Sequence, residues 1–191
     1  KNSGDSWITN KGNILKALLL IFSVVSSAYV VYLKGEWIWL SWHPTSMIFA
    51  FIFLAGVSIL TKKAGGYVNT KIHGVLMTIA TVLGCFGWYV IYSNKELFGK
   101  PHLVTLHAKI GVIVLFTYIA LACFSIPTLN PDWGFLRTNK TIRLAHKWSA
   151  RFATLLAWVC CFYGFQTMES RLESQILFAA PLLVFAFLTL L

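Results

Sequence analysis

The stretch LVTLHAKIGVIVLFTYIALACFSI, from Leu103 to Ile126, decides the fold of this chain. It is apolar and long enough to cross a lipid bilayer as a helix, which requires about 20 residues. It also contains a histidine, His107, near one end. An ionisable side chain at membrane depth is costly and marks a functional site by default. The stretch therefore predicts a membrane-spanning helix with a functional side chain close to one membrane face.

Further apolar runs of similar length lie on both sides of this stretch. Together they predict helices at about 14–33, 42–60, 72–92, 103–126, 142–165 and 176–191. The chain has 191 residues, of which 58% are hydrophobic and 12% charged, so little of it remains for a soluble domain. Pro127 and Pro131 are expected to end the fourth helix. We predict an all-α fold, a six-transmembrane-helix bundle with short loops.

The net charge of +10 is explained by the loops that flank the predicted spans. One side of the predicted membrane carries most of the basic residues, including Lys11, Lys16, Lys62, Lys63, Arg137, Lys140 and Arg143. Under the positive-inside rule this side is cytosolic, and the N-terminus lies on it. The charge therefore indicates a multi-pass membrane protein, and we expect no nucleic-acid partner.

Four of the five histidines alternate between the two predicted membrane faces. His43 and His107 fall on the non-cytosolic side, and His73 and His146 fall on the cytosolic side. One imidazole pair near each face fits two haem irons, each with two axial histidines. Such an iron has no open position and transfers electrons. Two alternatives stay open: a zinc or copper site that uses two or three of these histidines, and a proton path in a channel or transporter.

Short motifs around these histidines resemble the cytochrome b561 family. They are Trp42-His43-Pro44, Lys71-Ile72-His73-Gly74 and the run GKPHLVTLHAKIG from Gly99 to Gly111. They look most like the small stand-alone members, the cytochrome b561 domain-containing proteins 1 and 2. The resemblance covers nearly the whole chain. It implies a single domain over residues 1–191 that holds two b-type haems between helices two to five.

The resemblance also implies an activity. Family members pass electrons across a membrane from cytosolic ascorbate to monodehydroascorbate or ferric iron on the other side, which makes them ascorbate-dependent oxidoreductases. Many are homodimers, and the small subgroup resides in endomembranes, so we expect the endoplasmic reticulum or a vesicle in preference to the plasma membrane. One alternative is a haem-binding subunit that hands electrons to a protein partner.

Candidate substrate residues lie at both ends of the predicted bundle. Ascorbate is an anion, so its site should offer positive charge. The family uses basic residues in this cytosolic region, where Lys71, Lys147 and Arg151 lie near the histidines; Lys71 and Arg151 are the best candidates. These side chains could equally anchor the membrane face or pair with haem propionates. On the opposite side, His102 could bind a ferric chelate, relay a proton or hold monodehydroascorbate. Lys109 could attract an anionic acceptor or snorkel to the interface.

Overall fold

The computed structural model describes residues 3–190, and the regular structure of that part of the chain is entirely helical. The helices, numbered here in chain order, are α1 Ser3–Lys34, α2 Trp39–Lys63, α3 Tyr67–Leu97, α4 Leu106–Leu129, α5 Lys140–Gln166 and α6 Leu172–Leu190. Within α2, a π-helical stretch over Ile48–Leu54 separates two α-helical parts. The all-α prediction is confirmed for the described residues; Leu191, the predicted last residue of the sixth helix, lies outside them.

Five helices are long and apolar enough to cross a membrane: α2, α3, α4, α6 and the part of α1 from Lys11 onward. Helix α5 is not among them. Its first half carries Arg143, Lys147 and Arg151, which lower the hydropathy of the segment. It nevertheless packs closely along α4. Length and composition therefore support five of the six predicted spans.

Several helices extend beyond their predicted ends. Helix α1 begins at Ser3 instead of residue 14, and α3 runs over Tyr67–Leu97 instead of 72–92. The predictions followed apolar residues, whereas backbone hydrogen bonds continue through polar turns outside the apolar run. His73 consequently lies well inside α3 and does not open it. The turn before α3 is made by Gly65 and Gly66, whose φ angles of 75° and 86° favour glycine.

The prediction that Pro127 ends the fourth helix was wrong, since α4 continues to Leu129. A proline removes one backbone donor and crowds the carbonyl four residues earlier, and here only Thr128 and Leu129 follow it in the helix. The Pro127 carbonyl accepts from the Phe135 amide at 3.3 Å, and Thr128 Oγ1 donates to the Phe124 carbonyl at 2.6 Å. Asn130 then adopts an extended conformation before Pro131, as the residue before a proline prefers.

The buried core lies midway along the bundle. The Trp158 indole Nε1 donates to the Phe51 carbonyl at 2.6 Å, inside the π-helical stretch of α2. The Phe51 ring meets Tyr118 edge-to-face at 4.8 Å, and the Tyr118 hydroxyl hydrogen-bonds to Thr154 Oγ1 at 2.9 Å. These residues from α2, α4 and α5 are all buried. They join these three helices between the two ends that carry the histidines.

Candidate functional site

The first histidine pair joins His43 of α2 to His107 of α4. Their ring centroids lie 6.2 Å apart, with the ring planes at 77°. His43 Nδ1 hydrogen-bonds to the Gly87 carbonyl of α3 at 2.8 Å, and His107 Nδ1 to the Cys160 carbonyl of α5 at 3.0 Å. Four helices therefore fix the two rings. We call this end of the bundle the outer end.

The second pair joins His73 of α3 to His146 of α5. Their ring centroids lie 6.5 Å apart, with the ring planes at 87°. His73 Nδ1 contacts Ser58 Oγ at 2.8 Å and the Ser58 carbonyl at 3.2 Å. His146 Nδ1 contacts Ser125 Oγ at 3.0 Å. This pair lies at the opposite end, the inner end, so the structure brings together both histidine pairs that the sequence predicts.

These contacts fix the tautomers of the four imidazoles. A carbonyl only accepts, so His43 and His107 must carry their protons on Nδ1. At the inner end, Ser58 Oγ donates to the His73 carbonyl and Ser125 Oγ donates to the Leu121 carbonyl, so both hydroxyls accept from the rings. No Nε2 atom of the four forms a hydrogen bond within the described residues. Each ring thus keeps an Nε2 lone pair for a metal, in the arrangement typical of metal-bound histidine.

The ring separations fit one metal ion between each pair. Two imidazoles on opposite sides of one metal, each bonded at about 2 Å, leave their ring centres roughly 6 Å apart. A zinc site needs three or more protein ligands, and among the described side chains of residues 11–190 no group of three histidine, cysteine, aspartate or glutamate residues could hold a metal ion. Two trans imidazoles suit an iron porphyrin, which fills its other four positions itself.

A cavity of about 380 Å³ surrounds the outer pair. Small residues line it beside the two rings, among them Gly111, Ala157 and Gly164. A Cβ atom added at Gly164 would lie 2.8 Å from the His107 ring, so the glycine makes room for that imidazole. Phe51 also lines the cavity, where the central core begins. The outer end therefore offers both the ligands and the space that a planar cofactor needs.

The predicted substrate residues of the inner end make two kinds of contact, an ion pair and cation–π contacts. Lys71 Nζ forms an ion pair with Asp132 Oδ2 at 2.8 Å. Lys147 Nζ and the Arg151 guanidinium lie over the Trp148 ring, at 5.9 and 5.2 Å from its centroid. The Lys71 ammonium group holds the pKa of Asp132 below its usual range. The inner end therefore has a basic surface on which one cation is already paired with a carboxylate.

At the outer end, His102 lines the cavity and Lys109 does not. His102 Nε2 lies 2.7 Å from Glu96 Oε1, and its ring stacks on Tyr92 with centroids 4.8 Å apart. Lys109 is exposed on α4, because a residue two positions from His107 points to a different face of the helix.

The sequence analysis missed two basic residues that line the cavity, Lys34 and Lys95. Lys95 follows Gly87 by about two helical turns, so the two share a face of α3. That spacing would have indicated Lys95 only if the contact between Gly87 and His43 had been known.

Comparison with known proteins gives consistent matches. The model of the family described as eukaryotic cytochrome b561 matches residues 42–170, a range that includes all four paired histidines. The chain is 29% identical over 129 residues to Transmembrane reductase CYB561D2 of Mus musculus, covering 61% of this chain and 56% of that protein.

Two further relatives come from a plant and a rodent. Identity to Ascorbate-specific transmembrane electron transporter 2 of Zea mays is 28% over 142 residues, covering 70% of this chain and 58% of that protein. Identity to Plasma membrane ascorbate-dependent reductase CYBRD1 of Rattus norvegicus is 27% over 85 residues, covering 41% and 30%. The chain thus spans 30–58% of the length of these three relatives.

Proposed function

This chain belongs to the eukaryotic cytochrome b561 family, and on that premise we propose that it is a transmembrane electron-transfer protein with two b-type haems. The observation that carries the proposal is the pairing of the four imidazoles. His43 lies opposite His107 and His73 lies opposite His146; every Nδ1 has a hydrogen-bond partner, and no Nε2 has one in the part of the chain that the structure describes. The family implies b-type haem, and the two separate pairs support a count of two.

His43 with His107, and His73 with His146, would each hold one haem, and each haem would supply one-electron transfer. The residues of the chain hold and orient the ligand rings through the contacts to Gly87, Cys160, Ser58 and Ser125. The buried core around Trp158 excludes water between the two ends. We infer that α5 crosses the membrane as the sixth helix, because it carries His146 and packs along α4. On this view residues 1–191 form one domain.

The inner end is proposed as the donor side, facing the cytosol. Its basic side chains include Lys71, Lys147 and Arg151, and such a surface attracts an anion. Relatives named as ascorbate-dependent support ascorbate as the donor. The side chains of Lys147 and Arg151 lie together over Trp148, so they offer two neighbouring cations to one anion. We propose that these three residues bind the donor.

The outer end is proposed as the acceptor side. His102 lines the cavity beside Lys95, and its contact with Glu96 positions an imidazole that can hold or pass a proton. Reduction of monodehydroascorbate to ascorbate consumes a proton together with the electron, whereas reduction of a ferric chelate consumes only the electron. Both acceptors are proposed, together with an endomembrane location and homodimer formation, which stay predictions from the family resemblance.

Reconstituted vesicles test the proposal. The purified chain is inserted into vesicles loaded with ascorbate, and a membrane-impermeant ferric chelate or enzymatically generated monodehydroascorbate is supplied outside. We expect the acceptor to be reduced only when ascorbate is inside and both histidine pairs are intact. Reduction that also needs an added soluble or membrane protein would favour the haem-binding subunit. Equal reduction by vesicles without the chain would contradict the proposal.

A further inference from the structure

The loop between α4 and α5 brings the carboxylate of Asp132 beside Lys71, one of the proposed donor-binding cations. Asp132 Oδ2 lies 2.8 Å from Lys71 Nζ. The Tyr67 hydroxyl donates to the other carboxylate oxygen, Oδ1. Lys71 Nζ also lies 5.3 Å above the centre of the Tyr67 ring. Both oxygens of Asp132 are therefore engaged, and Lys71 is held between a carboxylate and an aromatic ring.

The loop that carries Asp132 is held in shape by hydrogen bonds to the Asn130 side chain and between backbone groups. Asn130 Oδ1 accepts from the Asp132 amide at 2.9 Å, and the Gly134 amide donates to the Asn130 carbonyl at 2.9 Å. The Leu136 amide donates to the Thr128 carbonyl at 2.9 Å. A Cβ atom at Gly134 would lie 2.6 Å from backbone atoms of Asn130 and Thr128, so only glycine fits there. The carboxylate is therefore presented by a defined turn.

Lys71 differs in this respect from its basic neighbours near the inner histidines. Lys62 Nζ donates to Thr70 Oγ1 at 2.6 Å, and Lys147 and Arg151 lie over the Trp148 ring. Hydroxyls and aromatic rings leave a full positive charge available to an anion. A carboxylate cancels that charge, so an anion that approaches Lys71 must displace Asp132.

We propose that Asp132 is a built-in counter-ion that competes with the anionic electron donor for Lys71 and thereby weakens donor binding at the inner end. The inference rests on the proposed function, because it takes the donor to be an anion such as ascorbate. The lowered pKa of Asp132 agrees with it, since a carboxylate that stays ionised is a poor proton acceptor for the donor. Asp132 thus acts on affinity and does not take part in the reaction.

The test is haem reduction by sodium ascorbate, measured with the purified full chain against ascorbate concentration. Asp132→Asn keeps the shape of the side chain and removes its charge. We expect the half-saturating ascorbate concentration to fall about two- to fivefold, the effect typical of partly exposed ion pairs, with the maximal rate unchanged. The difference should shrink at high ionic strength. The control is Glu173→Gln, which removes the same charge at the first turn of α6, at the outer end.

A double variant locates the effect. In a Lys71→Gln chain, adding Asp132→Asn should leave the half-saturating concentration unchanged, because the cation for which Asp132 competes is gone. If Asp132→Asn lowers the half-saturating ascorbate concentration as much in the Lys71→Gln chain as in the wild type, the proposal is overturned, since Asp132 would then act as a distant charge. An unchanged affinity, or a lower maximal rate in Asp132→Asn alone, would overturn it as well.

Failure of the proposed function would look different. A wild-type chain that dithionite reduces and ascorbate does not would overturn ascorbate as the donor, and the inference with it. A wild-type chain that ascorbate reduces, together with an Asp132→Asn variant of identical affinity, would overturn the inference alone.

Discussion

The outer and inner histidine pairs have similar geometry, with ring centroids 6.2 and 6.5 Å apart, and are supported by different chemical groups. At the outer end, His43 and His107 donate to backbone carbonyls of Gly87 and Cys160. At the inner end, the rings donate to the hydroxyls of two serines, with the Ser58 carbonyl as a second contact for His73. Carbonyls survive any side-chain substitution, whereas hydroxyls do not. The inner pair therefore depends more on side chains than the outer pair, where the side-chain contact is that of the Cys160 thiol, 3.4 Å from His107 Nδ1.

Removing one ligand should have the largest effect, and it should affect only one end. We expect His107→Ala to abolish haem binding at the outer end and His146→Ala to abolish it at the inner end, because each iron depends on two imidazoles. Haem counted per chain should fall from two to about one in each variant. Loss of both haems from one substitution, or of neither, would show that the pairs are not separate sites.

Loss of a serine hydroxyl should weaken only the inner pair. Ser125→Ala removes the hydroxyl that His146 Nδ1 contacts at 3.0 Å, and we expect haem affinity there to fall about 10–100-fold, the range for such supporting contacts. Ser58→Ala should have a smaller effect, because His73 Nδ1 keeps the Ser58 carbonyl at 3.2 Å.

The comparison variant at the outer end is Cys160→Ala, which keeps the carbonyl that accepts from His107 Nδ1 at 3.0 Å and removes the weaker thiol contact at 3.4 Å. Haem titration of the three variants measures the difference. An equal loss in Cys160→Ala and Ser125→Ala would contradict the distinction between backbone and hydroxyl support.

At the outer end, haem affinity should depend on the space available to the His107 ring beside Gly164. Gly164→Ala would put a Cβ atom 2.8 Å from the His107 ring, and we expect it to cost about 1–3 kcal/mol through overpacking. Gly74→Ala is the control, since a Cβ atom there meets nothing within 4 Å although it follows His73. The outer haem should be bound more weakly in the first variant and equally in the second. Equal affinity in both would mean that the His107 ring can move away.

The smallest expected effect concerns an ion cluster at the outer end. Glu169 accepts from Arg171 at 2.9 Å and from the Tyr29 hydroxyl at 2.5 Å, and these partners lower its pKa from 4.5 to about 2. A carboxyl whose pKa is lowered on folding stabilises the fold above the unfolded pKa. That stabilisation is lost as the pH falls from about 4.5 through about 2.

Thermal unfolding of the wild type and Glu169→Gln checks this. The variant should unfold at a slightly lower temperature at pH 7, and the gap between the two should narrow below pH 4.5, where the wild-type carboxyl loses its advantage. A difference in unfolding temperature that stays constant down to pH 3 would contradict the assigned role of Glu169. That result would leave the comparison of the two histidine pairs unaffected.

The histidine pairs could be predicted from sequence because pairing follows from how far along its apolar run each histidine lies. His43, His73, His107 and His146 each lie near one end of an apolar run, and alternating helix direction assigns them to faces. The ring partners could not be predicted in this way. That His43 meets the Gly87 carbonyl depends on how α2 and α3 rotate about their axes, which composition does not determine.

The substrate residues show the same limit. Lys71 and Lys109 each lie two residues from a histidine, and this spacing places them on a different face of the helix from that histidine. Lys109 is consequently exposed, and Lys71 meets Asp132. Asp132 could not be predicted as its partner, because the contact depends on the turn of the loop around Gly134. Helix ends were underestimated for a simpler reason, since polar turns of α1 and α3 continue past the apolar run.

The central claim is that each end of the bundle holds one haem between two imidazoles. Its most direct test is the visible spectrum of the purified chain, oxidised and then reduced, with haem counted per chain. Two low-spin b-type haems per chain, largely reduced by ascorbate, are the predicted result. A chain that binds one haem or none after reconstitution with excess haem would contradict the account.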